Sequence, residues 1–253
     1  MKKFFSRLYS YLIRIDDPKI YNAKYPFKLL LKIILRSLNI IRWIVAYRIV
    51  GKVDSISEFY SEIHIFWYRG NEGHTQQSIE QTYFLSKISQ KKENIFEIGF
   101  NGGHSAETFL KNNISTKVLS CDIGWHYYSK FGEFYLKKKF GNRFQMIIED
   151  SKTLVPELSE NTNKKFDLIY IDGGHEYKDA RDDILKSKEL AHDKSILVVD
   201  DVVERNMQHL DHSNSGPTKA WKEFSENGFV SALEYLEFTD NNIYRSAVVG
   251  RYN

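Results

Sequence analysis

The chain has 253 residues, 42% of them apolar and 15% aromatic, enough for one sizeable α/β core with an appendage but too short for two full domains and a linker. A net charge of +3 argues against a dedicated polyanion binder, although the charge is unevenly spread. Cys121 is the only cysteine, so no intramolecular disulfide can form, and a reducing cytoplasm is the expected setting.

Residues 1–28 are basic and aromatic at the start (Lys2, Lys3, Arg7), with no uncharged apolar run followed by a small-residue cleavage site, so no signal peptide is expected. Leu29–Val50 is the most apolar stretch, but Lys32, Arg36, Arg42 and Arg48 interrupt it and make a bilayer-spanning role costly. Lys32, Arg36, Asn39 and Arg42 are spaced 4, 3, 3, which predicts a basic amphipathic helix. Such a helix either buries its apolar face against the core or a second subunit, giving a dimer, or makes peripheral contact with an anionic membrane through Leu29–Arg48. Ser55–Gly73 reads as a transition, with a turn at Gly70, Asn71 and Gly73. The chain is thus expected to divide into a helical extension, 1–73, and a catalytic domain, 74–253.

Thr75–Lys87 reads as a helix capped by Thr75 or Ser78, with an apolar stripe of Ile79, Tyr83, Phe84 and Leu85. Ile95–Ile98 reads as a strand running into a turn with Gly99, Gly102 and Gly103, after which a helix starts near Ser105. A glycine-rich strand-to-helix turn brings backbone N–H groups to a ligand. The next strand, Val118–Ser120, ends in Cys121–Asp122, 23 residues after Gly99, where an acid suits a ribose diol. Trp125–Phe140 reads as helix. Phe144–Ile148 is a third strand closing in Glu149-Asp150-Ser151, an acid and a hydroxyl suited to the edge of an adenine ring.

Phe166–Ile171 is a short apolar run of buried-strand composition that stops at Asp172; Gly173 and Gly174 permit a sharp turn, and His175 follows. A helix is expected over Tyr177–Ala191. Ser195–Val199 ends the same way in Asp200 and Asp201. Neighbouring strands lie about 4.8 Å apart, so these carboxylates and the imidazole would converge on one volume. Crowded carboxylates raise one another's pKa unless a cation compensates them, and a hard divalent ion is the simplest compensation. Val202–Pro217 is a polar loop, Thr218–Glu226 a helix, and Phe229–Phe238 and Tyr244–Gly250 a terminal strand pair around Asp240-Asn241-Asn242. This alternation predicts an α/β fold, a doubly wound, Rossmann-like, seven-stranded and mostly parallel sheet with one antiparallel strand in a C-terminal hairpin.

From about Thr75 onward these residues resemble the class I S-adenosylmethionine-dependent methyltransferases. Within that class the chain is similar to the metal-dependent O-methyltransferases of the catechol and caffeoyl-CoA type, and nearer to the bacterial branch acting on antibiotic sugars. The family's acid-x-Gly-x-x-x-Gly motif matches Glu97, Gly99 and Gly103. The resemblance implies that Ser105 and the Gly99–Gly103 backbone hold the methionine moiety, Asp122 the ribose, and Asp150 and Ser151 the adenine. It implies a divalent cation, magnesium or manganese, on Asp172, Asp200 and Asp201. The catechol enzymes place a lysine base three residues after the first metal acid; here, as in the antibiotic-sugar branch, that position is a histidine, His175. Base is the first reading of His175, with metal ligand, orienting group and structural residue as the others. Asn101 departs from the glycine found at that position in many class I enzymes.

The expected acceptor is a small hydroxylated molecule, in first place a nucleotide-activated sugar for bacterial surface polysaccharide. The alternatives are a phenolic or antibiotic metabolite, or a non-catalytic membrane-associated cofactor-binding protein. A nucleic-acid partner is not expected, because base-methylating enzymes carry Asn/Asp-Pro-Pro-aromatic where this chain has Ile171-Asp172-Gly173-Gly174-His175.

Overall fold

The computed structural model describes residues 26–63, 74–205, 207–240 and 243–253, with side chains from residue 37 onward except at Asp240 and Ile243. The turn expected at Gly70, Asn71 and Gly73 and the basic start of the chain lie outside the described residues, as does Asn241–Asn242.

Seven strands form one sheet: β1 (Asn94–Ile98), β2 (Lys117–Asp122), β3 (Phe144–Ile148), β4 (Phe166–Ile171), β5 (Ala191–Asp200), β6 (Val230–Asp240) and β7 (Ile243–Tyr252), in the order β3-β2-β1-β4-β5-β7-β6. The first five pair in parallel, and β7 runs antiparallel to both β5 and β6. The expected mostly parallel sheet with one antiparallel strand is what forms. Strands covered on both faces need apolar residues on both, which is why β4 and β5 read as continuous apolar runs. Leu168, Tyr170 and Val198 enter one core cluster, and Ile169, Ile171, Leu197 and Val199 the other.

The flanking helices are α1 (Pro26–Ile49), α2 (Ile56–Glu62), α3 (Ile79–Ser89), α4 (His104–Asn112), α5 (Ser129–Phe140), α6 (Ser151–Asn161), α7 (Tyr177–Ser187) and α8 (Ser215–Glu226). The first core cluster draws on α1 to α5, the second on α6 to α8. Strand order reverses between β1 and β4, and the crevice outside the carboxyl ends of those strands is where ligands bind in open α/β sheets.

Four segments differ from the sequence reading. Ser55–Gly73 contains α2: the Ser55 hydroxyl accepts from Glu58 N at 3.1 Å, and Ile56, Phe59 and Tyr60 are buried. Those three share a core cluster with Phe131 and Tyr135 of α5, so this part of the extension shares the core of the sheet domain. In α3, Ser78 is the cap, and Ile79 and Tyr83 are 73% and 69% exposed. Gln81 faces inward instead, because it reaches a buried acid described below. Tyr177–Ala191 ends as a helix at Ser187, since Ala191 already pairs with Phe166 in the sheet. In α1 the inward residues are Trp43, Ala46 and Val50, whereas Ile40, Ile41, Ile44 and Tyr47 point to solvent. Part of its apolar surface, Trp43, Ala46, Ile49 and Val50, is thus packed against the domain, and Ile40, Ile41 and Ile44 are left outside. Asn39 and Arg42, expected on a basic face, are half-buried.

Candidate functional site

The turn after β1 is fixed by backbone needs. Gly99 has φ +92°, and a Cβ there would lie 1.8 Å from the carbonyl oxygen of Asp172, so the turns after β1 and β4 pass too closely for any side chain. Asp172 N donates to Ile98 O at 2.8 Å, and Gly99 N to Cys121 O at 2.9 Å. Gly103, also left-handed, caps α4.

Asp122 holds this turn from the end of β2. One carboxylate oxygen accepts from Phe100 N (3.0 Å) and Asn101 N (2.8 Å), and the other from Gly124 N (2.7 Å). A carboxylate offers about four acceptor sites, so capacity for a further donor, such as a ribose hydroxyl, remains. Glu97 and Ser105 act differently from the expected direct contacts. Glu97 is fully buried, and the hydroxyls of Ser105 and Ser120 donate to its two oxygens. Burial pushes its carboxyl up to about 7, against the opposing effect of those two hydrogen bonds. It lies beneath the turn and offers no surface to a ligand.

At the end of β3, Asp150 caps α6 by accepting from Lys152 N at 2.9 Å. The Ser151 hydroxyl donates to Asp183 at 2.5 Å. Asp183, in α7, is buried, and burial pushes its carboxyl up to about 7. His104 stacks on His74 with centroids 3.9 Å apart and is a packing residue beside the turn.

The ends of β4 and β5 carry the acid cluster. Asp172, His175 and Asp201 bring one ligand atom each within 4.8 Å of one another. His175 Nε2 lies 3.3 Å from Asp201 Oδ2. Asp201 follows Asp200 just past the end of β5, where adjacent side chains point to opposite faces, and its backbone is left-handed (φ +58°). Asp200, expected as a third metal ligand, faces the core. Gln81 Nε2 donates to its two oxygens at 2.9 and 3.2 Å, and the Tyr170 hydroxyl donates at 2.8 Å. Burial, then repulsion among the acids, raises Asp172 well above the carboxylate range and Asp200 to about 7. Asp201 is pushed up to about 6, by burial and secondarily by Asp211, with the Arg245 cation opposing.

The rim is shaped by two elements. Gly216, in the first turn of α8, would place a Cβ 2.1 Å from the carbonyl oxygen of His175, so its lack of a side chain lets α8 support that loop. Arg245, on β7, donates to Gln77 Oε1 at 3.3 Å and supplies the nearby positive charge. A small cavity between the two turns is lined by Asp172, Gly173, His175, Val199, Asp201 and Pro217. Sequence reasoning missed Gln81, Tyr170 and Asp183. Tyr170 was within reach, because it lies two residues before Asp172 and so shares its face of β4.

Residues 96–202 match a family model described as a methyltransferase domain. The matched stretch contains every candidate residue from Glu97 to Asp201. No curated protein matches the chain. Among solved structures, an O-methyltransferase from Bacillus cereus in complex with SAH aligns with a TM-score of 0.62 at 13% identity, over 85% of this chain and 100% of that one. TomG from Streptomyces achromogenes, an O-methyltransferase involved in tomaymycin synthesis and solved with SAM, aligns at 0.60 and 15% identity, over 83% and 95%. A putative O-methyltransferase from Klebsiella pneumoniae aligns at 0.62 and 15% identity, over 83% and 96%. At such identities the likeness shows the fold alone: a seven-stranded, mostly parallel, Rossmann-like sheet with flanking helices.

Proposed function

We propose that this methyltransferase moves a methyl group from S-adenosylmethionine to a hydroxyl of a small molecule, and that the acceptor is a nucleotide-activated sugar handled in the cytoplasm. The acceptor oxygen attacks the methyl carbon, the carbon–sulfur bond breaks, and the hydroxyl proton leaves to a base. S-adenosylmethionine supplies an already activated methyl group. Asp122, with acceptor capacity left over, suits the ribose, and the turn at 99–103 suits the methionine moiety beside it.

The observation that carries this reading is the cluster of Asp172, His175 and Asp201 beside that turn. Two acids raised by burial and crowding fit a divalent cation, and an imidazole at ligand distance fits it as well. A bound cation would lower the pKa of an acceptor hydroxyl. Asp172 and Asp201 would hold it; Asp200, engaged by Gln81 and Tyr170, would set the position of the pair. His175 takes the acceptor proton. The 3.3 Å approach of its Nε2 to Asp201 favours a second reading, in which His175 is a ligand and bulk solvent takes the proton.

The sugar reading rests on His175 standing three residues after Asp172, as in the antibiotic-sugar enzymes the chain resembles. It is tested by a screen of nucleotide sugars and phenols with labelled S-adenosylmethionine and magnesium or manganese. Label transferred to a sugar is the expected result; label transferred only to phenols overturns the sugar and keeps the methyl transfer.

A further inference from the structure

The charge of this chain is segregated. Residues 1–52 contain 12 Lys and Arg against 2 Asp, a net +10, whereas residues 53–253 contain 24 against 31, a net −7. The small overall charge conceals a strongly basic end attached to an acidic body.

That basic end includes α1, and α1 is fixed in one rotation. Trp43 stacks on Phe131 of α5 with ring centroids 4.3 Å apart and donates to the Tyr127 hydroxyl at 3.0 Å; Ala46 is fully buried. With that side held by α5, the neighbouring side is exposed and apolar, starting at Tyr47, whose ring still touches Phe134 of α5 with centroids 4.6 Å apart. Ile40 is 60% exposed, Ile44 49% and Tyr47 63%, with Ile41 beside them. Positions 40, 41, 44 and 47 follow helical spacing and form one stripe. Lys138 of α5 lies at its edge, its ammonium 5.9 Å from the Tyr47 ring. A stripe of large apolar side chains on a soluble surface marks a contact face.

The occupant follows from the charge. A second copy set face to face would oppose one +10 segment to another. An anionic bilayer complements the charge, and each Lys or Arg near such a surface adds to binding. No helix among the described residues is long and apolar enough to cross a membrane. A helix with an apolar stripe, aromatic residues and basic flanks lies in the interface plane instead. We propose that α1 is a membrane-surface helix, which docks this methyltransferase on anionic lipid through Ile40, Ile41, Ile44 and Tyr47, with the net positive charge of the first 52 residues adding to the attraction. The proposal does not depend on the acceptor or on the metal.

The test is co-sedimentation of the full chain with vesicles of phosphatidylcholine alone and of phosphatidylcholine mixed with phosphatidylglycerol, at low and raised salt. Binding is expected only to the mixed vesicles and should weaken as salt rises. An Ile40→Ser/Ile44→Ser variant should bind roughly tenfold or more weakly, with an unchanged melting transition because both side chains are exposed. Absence of binding to the mixed vesicles overturns the proposal. So does binding that the double variant leaves intact. A lipid-free dimer in ultracentrifugation that the double variant dissociates assigns the stripe to a second copy and overturns it too.

Discussion

Asp200 and Asp201 are adjacent in sequence and opposite in role. Strand alternation puts the two on opposite faces: the Asp201 carboxylate meets His175 at the rim, while Asp200 turns to Gln81 and Tyr170. That the acids ending two strands would meet was legible from the strand pattern. Which of the adjacent pair would face out was not, because it depends on which face of the sheet meets Gln81, 119 residues away in sequence. His175→Ala should lower turnover by ~10²–10⁴, the range for a lost general base, with cation affinity unchanged by calorimetry. Normal turnover with weakened cation binding would make His175 a ligand. Asp183 gives a stability prediction. Its carboxyl is raised from an ordinary 3.8 to about 7 in the fold, so the native state favours its protonated form. The stability this contributes is complete below about pH 4 and is lost as pH rises through 7. Asp183→Asn should therefore stabilise the protein at pH 8 by up to about 4 kcal/mol and have little effect at pH 4. Urea denaturation at the two pH values checks it, and an equal effect at both would remove Asp183 as the source.

At the scale of elements, strands were easier to read than helix phases. β3 and β4 coincide with the apolar runs that announced them. The phase of α3 was misread because Ile79 and Tyr83 look like core residues, and only the buried acid that claims Gln81 explains why they are outside. α2 was overlooked although Ser55 and Glu58 carry a cap signature, with Glu58 accepting from Asp54 N at 2.9 Å. α8 supports the rim through one missing side chain. Gly216→Ala must move the helix or the His175 loop, because its Cβ would overlap the His175 carbonyl. Displacing a catalytic group by about 1 Å costs roughly 10²-fold in rate, so the variant should lose turnover far more than cofactor affinity. Equal turnover in wild type and variant would show that α8 does not set His175.

For the whole molecule, strand order and function are connected. The reversal between β1 and β4 puts the glycine turn beside the Asp172 turn, so the suggested cofactor and cation sites share one rim. The doubly wound sheet was legible from alternating strands and helices. The outward apolar face of α1 was not, because spacing alone shows that a helix has two faces and leaves open which one the body takes. The central claim is that the acids on this rim hold a divalent cation needed for methyl transfer. The most direct measurement is transfer of labelled methyl to an accepted substrate in excess chelator, followed by addition of magnesium or manganese, for wild type and for Asp172→Asn/Asp201→Asn. The account predicts transfer that stops with chelator and returns with the ion in wild type, and none under either condition in the variant. Full transfer in excess chelator would contradict it.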